Sequence, residues 1–94
     1  MCEVGLTLAE IRGLYRNVKA YSKTKRVPVS MANFPAKGYL VQEPYGVTLV
    51  MSPWNYPFML AMEPLAGAIA AGNCCVVKPS AYAPATSAVI AAIV

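Results

Sequence analysis

Two polar side chains in the second half of the chain stand where chemistry could take place. Asn55 lies in a Pro-rich loop, residues 52–57, and Lys78 ends a short apolar run. An amide on a stiff loop is a good donor to a developing oxyanion, and a lone Lys after a buried strand can meet a phosphate or a ribose hydroxyl. The alternative stays open that Asn55 is a turn residue and that Lys78 only reaches out to solvent.

The residue types exclude several classes of enzyme. The 94-residue chain has no His and no Asp, so it cannot build a Ser-His-Asp triad or a His-containing metal site. Its cysteines show no CxxC spacing, and no metal site is predicted. Cys74 and Cys75 are interpreted as small core residues on opposite faces of a strand, in a reducing compartment. Neither GxGxxG nor the P-loop pattern is present.

The elements that must position Asn55 and Lys78 follow one another from residue 46 onward. The predicted order is a strand at 46–51, a helix at 58–71, a strand at 74–78 and a helix at 85–94. The first strand is apolar nearly throughout, which is typical of a parallel strand buried on both faces. Pro64 predicts a kink or a later start of the first helix, and Gly72-Asn73 ends it. This βαβα order predicts a parallel pair with a right-handed crossover, and ligands bind beyond the carboxyl ends of such strands.

The first half of the chain predicts a helix and an extended arm. Thr7 and Glu10 form a capping-box pattern that places a helix at 7–22. Residues 28–36 are predicted to be an extended connection, and residues 38–42 have strand composition. The helix is amphipathic, with apolar and basic residues on separate faces. Its apolar face comprises Ile11, Leu14, Tyr15, Val18 and Tyr21, and its basic face Arg12, Arg16, Lys19 and Lys23.

Charge is distributed unevenly, which bears on possible partners. Residues 44–94 carry only Glu63 and Lys78, so this half is either a membrane segment or the interior of something larger. Residues 58–77 have the length of a bilayer span, but Glu63 and Pro64 inside them argue against one. Acidic Glu3 and Glu10 argue against a transit peptide. The net charge of +4 comes with no nucleic-acid motif, so no nucleic-acid partner is predicted.

Four blocks of sequence, in this order and spacing, closely resemble the aldehyde dehydrogenase superfamily. The blocks are residues 43–47, 52–57, 64–73 and 77–80. The Pro-Trp-Asn-Tyr-Pro form of the second block, together with residues 34–39, is most similar to the class-3 and fatty-aldehyde branch. The resemblance covers residues 10–94. It implies oxidation of aldehydes to carboxylic acids with NAD or NADP, through a thiohemiacetal on a catalytic Cys.

The resemblance also implies roles for individual residues. Asn55 matches the side-chain oxyanion donor, Trp54 and the backbone of Met51 and Ser52 match the lining of the cofactor cleft, and Lys78 matches the contact to the adenosine ribose. The family often has a Glu where this chain has Ala81. Loss of that carboxylate weakens ribose recognition and could admit a 2′-phosphate, which Lys78 would attract. Residues 38–42 resemble a strand of the oligomerisation arm.

These observations together predict an α/β fold, an incomplete Rossmann-like βαβα unit preceded by an amphipathic helix and an oligomerisation-arm strand. Residues 1–45 would form the helix and arm, and residues 46–94 a partial NAD(P)-binding domain. The family's nucleophilic Cys and general-base Glu match no residue here, so we expect an N-terminal fragment that is inactive alone and cytoplasmic. The alternatives are a non-catalytic fragment that pairs with full-length subunits through residues 38–42, and a membrane-associated peptide.

Overall fold

One parallel strand pair is accompanied by six further elements in the computed structural model, which describes residues 2–94. The molecule is elongated, measuring 60 × 24 × 20 Å along its principal axes. The α/β composition and the order of the predicted strands and helices are confirmed, with differences at the element ends. The elements are α1 (Cys2–Tyr21), β1 (Lys25–Val27), a 3-10 turn (Met31–Asn33), β2 (Gly38–Leu40), β3 (Val47–Met51), α2 (Met59–Ala70), β4 (Cys74–Lys78) and α3 (Pro84–Ile93).

Strands β3 and β4 pair in parallel and carry the site. The register runs from Val47 opposite Cys74 to Met51 opposite Lys78, and α2 packs against both strands. Side chains alternate between the two faces of a strand, and the burial follows this alternation. Val50 is buried, whereas Leu49 is 60% exposed. The expectation that β3 is buried on both faces is therefore wrong in this chain, because α2 covers one face and no element of residues 2–94 covers the other.

The cysteines follow the same alternation. Cys75 is half-buried and its sulfur lies 3.3 Å from the Thr48 hydroxyl, whereas Cys74 is exposed. Their predicted placement on opposite faces is confirmed, and the core position predicted for Cys74 is wrong. The residues on the uncovered face of this two-stranded sheet are Val47, Leu49, Met51, Cys74, Val76 and Lys78.

Asn73 joins the end of α2 to the beginning of β3. Its Oδ1 accepts a hydrogen bond from the Gly46 backbone N–H at 3.0 Å, and its Nδ2 donates to the Ala68 carbonyl at 3.2 Å. The Cys74 N–H donates to the Gly46 carbonyl at 2.8 Å. Gly72 has φ +85°, as a residue that follows a helix often does. The predicted stop at Gly72-Asn73 is confirmed. In addition, the Asn73 side chain links the end of α2 to Gly46, the residue before β3.

Helix α2 continues through Pro64 as one element, so the helix does not start at Pro64. Pro64 is exposed, and because proline has no backbone N–H, the Leu60 carbonyl receives no helical hydrogen bond from residue 64. Leu65 and Ala61 point into the small core, together with Val50 and with Ile90 from α3. The helix α3 begins with Pro84 in its first turn, as expected from the fixed φ of proline.

Helix α1 begins earlier than the sequence predicts. It starts at Cys2, so Thr7 lies inside it, 1% exposed, and the predicted capping box is wrong. A Thr-x-x-Glu pattern caps a helix only where the residues before it are non-helical, and here they are helical. The helix packs on α2. The basic residues of the predicted basic face are all exposed, and of the apolar face Ile11, Leu14 and Val18 are half-buried while both tyrosines are exposed.

The arm is a small antiparallel pair whose first strand the sequence does not indicate. Strand β1 pairs with β2, with Lys25 opposite Leu40 and Val27 opposite Gly38. The predicted strand at 38–42 ends at Leu40, because the three-residue β1 offers no partner beyond Lys25. Residues 28–36 are not extended throughout, since Ser30 caps the 3-10 turn by accepting a bond from the Ala32 N–H. Among residues 2–94, no helix combines the length and apolar character that crossing a bilayer requires.

Candidate functional site

The two predicted loops leave the same edge of the β3–β4 sheet. Met51 and Lys78 are opposite each other in the parallel register, so the chain leaves both strands side by side. The Ser52 N–H donates to the Lys78 carbonyl at 3.2 Å and extends the ladder by one bond. The carboxyl ends of neighbouring parallel strands are where open α/β sheets bind ligands. The structure therefore brings the Asn55 loop and Lys78 together, as the sequence predicts.

The Asn55 loop turns sharply into α2. Tyr56 has φ +50°, a left-handed conformation that is uncommon for a residue with a side chain. Its carbonyl accepts the Leu60 N–H at 3.0 Å and so begins the hydrogen bonding of α2. Strain of this kind costs of order 1–3 kcal/mol and persists only where the surroundings hold it. The loop conformation is thus imposed by the contacts at its two ends.

The Asn55 side chain is exposed and donates no hydrogen bond to any of residues 2–94. Two of its predicted companions, Trp54 and Met51, are also exposed, and so is Lys78. Ser52 differs, because it is buried and its hydroxyl has no hydrogen-bond partner among the described residues. A buried hydroxyl without a partner is uncommon and calls for an explanation such as a bound polar group. Free donors thus gather at this edge of the sheet.

The second loop is held by serine hydroxyls. The single Ser87 O–H is shared between two carbonyls, that of Ser80 at 3.0 Å and that of Ala83 at 2.9 Å. Ser80 is buried, and its Oγ accepts from the Tyr82 N–H at 3.2 Å. These bonds fix residues 79–83 while leaving Ala81 exposed. The second loop is therefore a defined wall of the site.

Two residues that the sequence did not indicate lie at or near this site. Tyr82 faces the first loop, and with Trp54 it lines an open depression between the loops. An aromatic residue in the loop after the second strand was a signal that could have suggested it. The second missed residue is Glu3, whose carboxylate contacts the start of α2. No pattern in the sequence links it to a segment 55 residues away.

Comparison with known proteins decides the family. Residues 3–94 match the model of the aldehyde dehydrogenase family. The chain belongs to the aldehyde dehydrogenase family. The resemblance of the four sequence blocks is confirmed, including the class-3 branch, since several similar relatives of this chain are aldehyde dehydrogenase family 3 members.

The similar aldehyde dehydrogenases are much longer than this chain. A 4,4'-diaponeurosporen-aldehyde dehydrogenase of Staphylococcus aureus is 47% identical over 88 residues, which are 94% of this chain and 19% of the relative. The Arabidopsis thaliana aldehyde dehydrogenase family 3 member H1 is 44% identical over 94% of this chain and 18% of its own length. A solved structure described as the substrate-bound state of Staphylococcus aureus AldH superposes with a TM-score of 0.95 and 44% identity, over 98% of this chain and 20% of that one. This aldehyde dehydrogenase chain spans about a fifth of the length of the relatives it matches.

Proposed function

We propose that this chain forms the oxyanion-donor and ribose-binding part of an NAD(P)-dependent aldehyde dehydrogenase. The observation that carries the proposal is the register of β3 and β4, which brings the Asn55 loop and Lys78 to one sheet edge in a chain of this family. The reaction would oxidise an aldehyde to a carboxylic acid. The proposal also takes residues 46–94 as part of a Rossmann-like domain and residues 1–45 as helix and arm.

In this reaction Asn55 would stabilise charge. Attack of a cysteine thiolate on the aldehyde carbon forms a thiohemiacetal whose oxygen carries negative charge, and an exposed, uncommitted amide N–H can donate to it. A donor fixed in advance needs no reorganisation during the step. The strained turn at Tyr56 and the Ser52–Lys78 bond would hold the backbone that carries this amide in place. Asn55 is therefore the proposed catalytic residue of this chain.

The residues at this edge fit a dinucleotide. The Ser52 hydroxyl is buried without a partner, the Lys78 ammonium is exposed, and an open depression lies between Trp54 and Tyr82. When bound, NAD or NADP supplies the hydride acceptor of the oxidation. Lys78 would bind the ribose, and Ala81 would leave room for a 2′-phosphate. Trp54 and the backbone of Met51 and Ser52 would line the cleft.

The nucleophile and the general base would come from other parts of a dehydrogenase-length polypeptide. Cys74 and Cys75 begin β4 and lie opposite Val47 and Thr48, at the amino ends of the two strands, so neither shares the sheet edge with Asn55. Glu63 lies in the middle of α2. By itself, the 94-residue chain is proposed to be inactive. We also propose that the protein is located in the cytoplasm.

A chimera tests this proposal. The corresponding 88 residues of the Staphylococcus aureus relative are replaced by those of this chain, and NAD- and NADP-dependent oxidation of an aldehyde is measured. We expect an active chimera in which Asn55→Ala lowers kcat by about 10²–10³, as loss of an oxyanion donor does elsewhere. Asn33→Ala, at an exposed Asn in the 3-10 turn, is the matched control and should leave kcat unchanged. A chimera that keeps its kcat with Asn55→Ala would remove the assigned role.

A second candidate function rests on the exposed arm. All residues of β1 are exposed, and β2 has no strand partner other than β1 within residues 2–94. Unpaired strand edges are ready to pair with another chain. The chain could then be a non-catalytic partner that joins full-length subunits through residues 38–42, or itself as a homo-oligomer. Co-purification with a full-length homologue would support this function, and a monodisperse monomer that captures no homologue would exclude it.

A further inference from the structure

Helix α2 lacks a cap within its own segment. Phe58 is the N-cap residue, and its side chain has no atom that could accept a hydrogen bond from the first turn. The first N–H groups of a helix have no partner inside the helix, and preferred N-cap residues supply an oxygen for them. The start of α2 therefore needs an acceptor from elsewhere in the chain.

Glu3 supplies that acceptor from α1. A single carboxylate oxygen, Oε2, accepts the Phe58 N–H and the Met59 N–H, both at 3.1 Å. Glu3 is half-buried, and both bonds are partly shielded from solvent. A carboxylate at a helix N-terminus is also favoured by the helix dipole. The contact joins two helices across 55 positions of sequence and is specific to one acid, because Glu10 on the same helix is exposed and accepts no such bond.

The anchored segment begins three residues after Asn55. Pro57 has no N–H and cannot donate a hydrogen bond. After Asn55, the first backbone N–H that bonds to a residue outside the loop is therefore that of Phe58, which donates to Glu3. The other end of the loop is held where the Ser52 N–H meets the Lys78 carbonyl. The left-handed turn at Tyr56 lies between these two hydrogen-bonded ends of the loop. Strained backbone persists only where its surroundings hold it, and the bonds at both ends provide that support.

We propose that Glu3 is a positioning residue that fixes the start of α2 and thereby the Asn55 loop. Helix α1 would then help to position the Asn55 loop, in addition to packing against α2. The importance of this contact for catalysis rests on the proposed function, but the contact itself does not. Glu3 touches neither substrate nor cofactor in this assignment.

Three variants of the full 94-residue chain test the proposal. Glu3→Ala removes the acceptor, Glu3→Gln keeps one neutral carbonyl oxygen, and Glu10→Ala removes an exposed acid from the same helix. Amide hydrogen exchange is measured by NMR at Phe58 and Met59, with the β3 and β4 amides as the internal reference. Trp54 is the only Trp and lies beside Asn55, so the decay of its fluorescence anisotropy reports loop motion.

We expect Glu3→Ala to raise exchange at Phe58 and Met59 by about tenfold, the size expected for a lost N-cap, and to speed the anisotropy decay of Trp54. Glu3→Gln should restore much of the protection, and Glu10→Ala should resemble the unchanged chain. Equal exchange in all variants would overturn the proposal. A uniform rise that includes the β3 and β4 amides would also overturn it, since Glu3 would then only stabilise the fold. Hydrogen exchange and Trp54 anisotropy are measured on the 94-residue chain and do not depend on the activity of the chimera. The proposed role of Glu3 and the proposed function can therefore fail separately.

Discussion

Replacing Asn73 by Ala should loosen the junction between α2 and β3. The change removes two hydrogen bonds, from the Gly46 N–H at 3.0 Å and to the Ala68 carbonyl at 3.2 Å. A neutral hydrogen bond contributes about 0.5–1.5 kcal/mol net. The bond to Gly46 is solvent-exposed and belongs at the low end of that range, whereas the bond to Ala68 is partly buried. The expected loss of unfolding free energy is about 1.5 kcal/mol.

Urea denaturation followed by circular dichroism measures this loss, with Asn33→Ala as the control. For a domain of this size, about 1.5 kcal/mol corresponds to a fall in Tm of roughly 6–12 °C. Asn73→Asp separates the two bonds, because a carboxylate still accepts from Gly46 but cannot donate to Ala68. A carboxylate at the end of α2 is also disfavoured by the helix dipole, so this variant should be no more stable than Asn73→Ala.

Hydrogen exchange at Gly46 distinguishes the variants site by site. The Gly46 N–H should exchange faster in Asn73→Ala and stay protected in Asn73→Asp, although both variants are destabilised. The two Asn73 bonds do not stabilise the junction if Asn73→Ala lowers the unfolding free energy by no more than Asn33→Ala does. Equal exchange of the Gly46 N–H in both Asn73 variants would show that Asn73 does not protect it.

Three further predictions concern the core, the arm and the cofactor. Leu65→Ala should lower the unfolding free energy by about 2–5 kcal/mol in urea, because Leu65 is 4% exposed, whereas Leu8→Ala at an exposed position should change it little. Gly38→Ala should displace the Val27 and Val29 side chains, because the added Cβ would lie 3.0 Å and 2.8 Å from their Cγ2 atoms; altered NMR contacts of these two side chains with β2 would verify this, and unchanged contacts would contradict it. Ala81→Glu in the chimera should raise KM for NADP more than for NAD, by repulsion of the 2′-phosphate, and an unchanged ratio would refute that role.

The sequence predicted the β3–α2–β4 unit well, because each of its signals is local. Apolar strand runs, an Ala- and Leu-rich helix and the Gly72-Asn73 stop depend on residues next to one another. The predicted strand at 74–78 coincides with β4, and the predicted helix at 58–71 differs from α2 by one residue at each end. The four family blocks lie mostly in this unit, so the family could also be identified from the sequence.

The sequence failed where pairing or packing decides the structure. Strand β1 has three exposed residues and no alternation long enough to indicate a strand, and it exists because β2 pairs with it. Helix α1 begins at Cys2 because nothing ends the helix before Thr7, although the Thr7–Glu10 pattern is typical of a cap. Burial of β3 on both faces was inferred from composition, but burial depends on which elements cover a strand.

The sequence by itself determined the residue types that chemistry can use, the parallel strand unit that carries them and the family to which they belong. Only the tertiary structure decided how these residues are held. The β3–β4 register brings Lys78 beside the Asn55 loop, Asn73 joins α2 to β3, and Glu3 caps α2 from another helix. The physical reason is that a hydrogen bond depends on distance in space, and side chains far apart in sequence become partners only after packing brings their elements together.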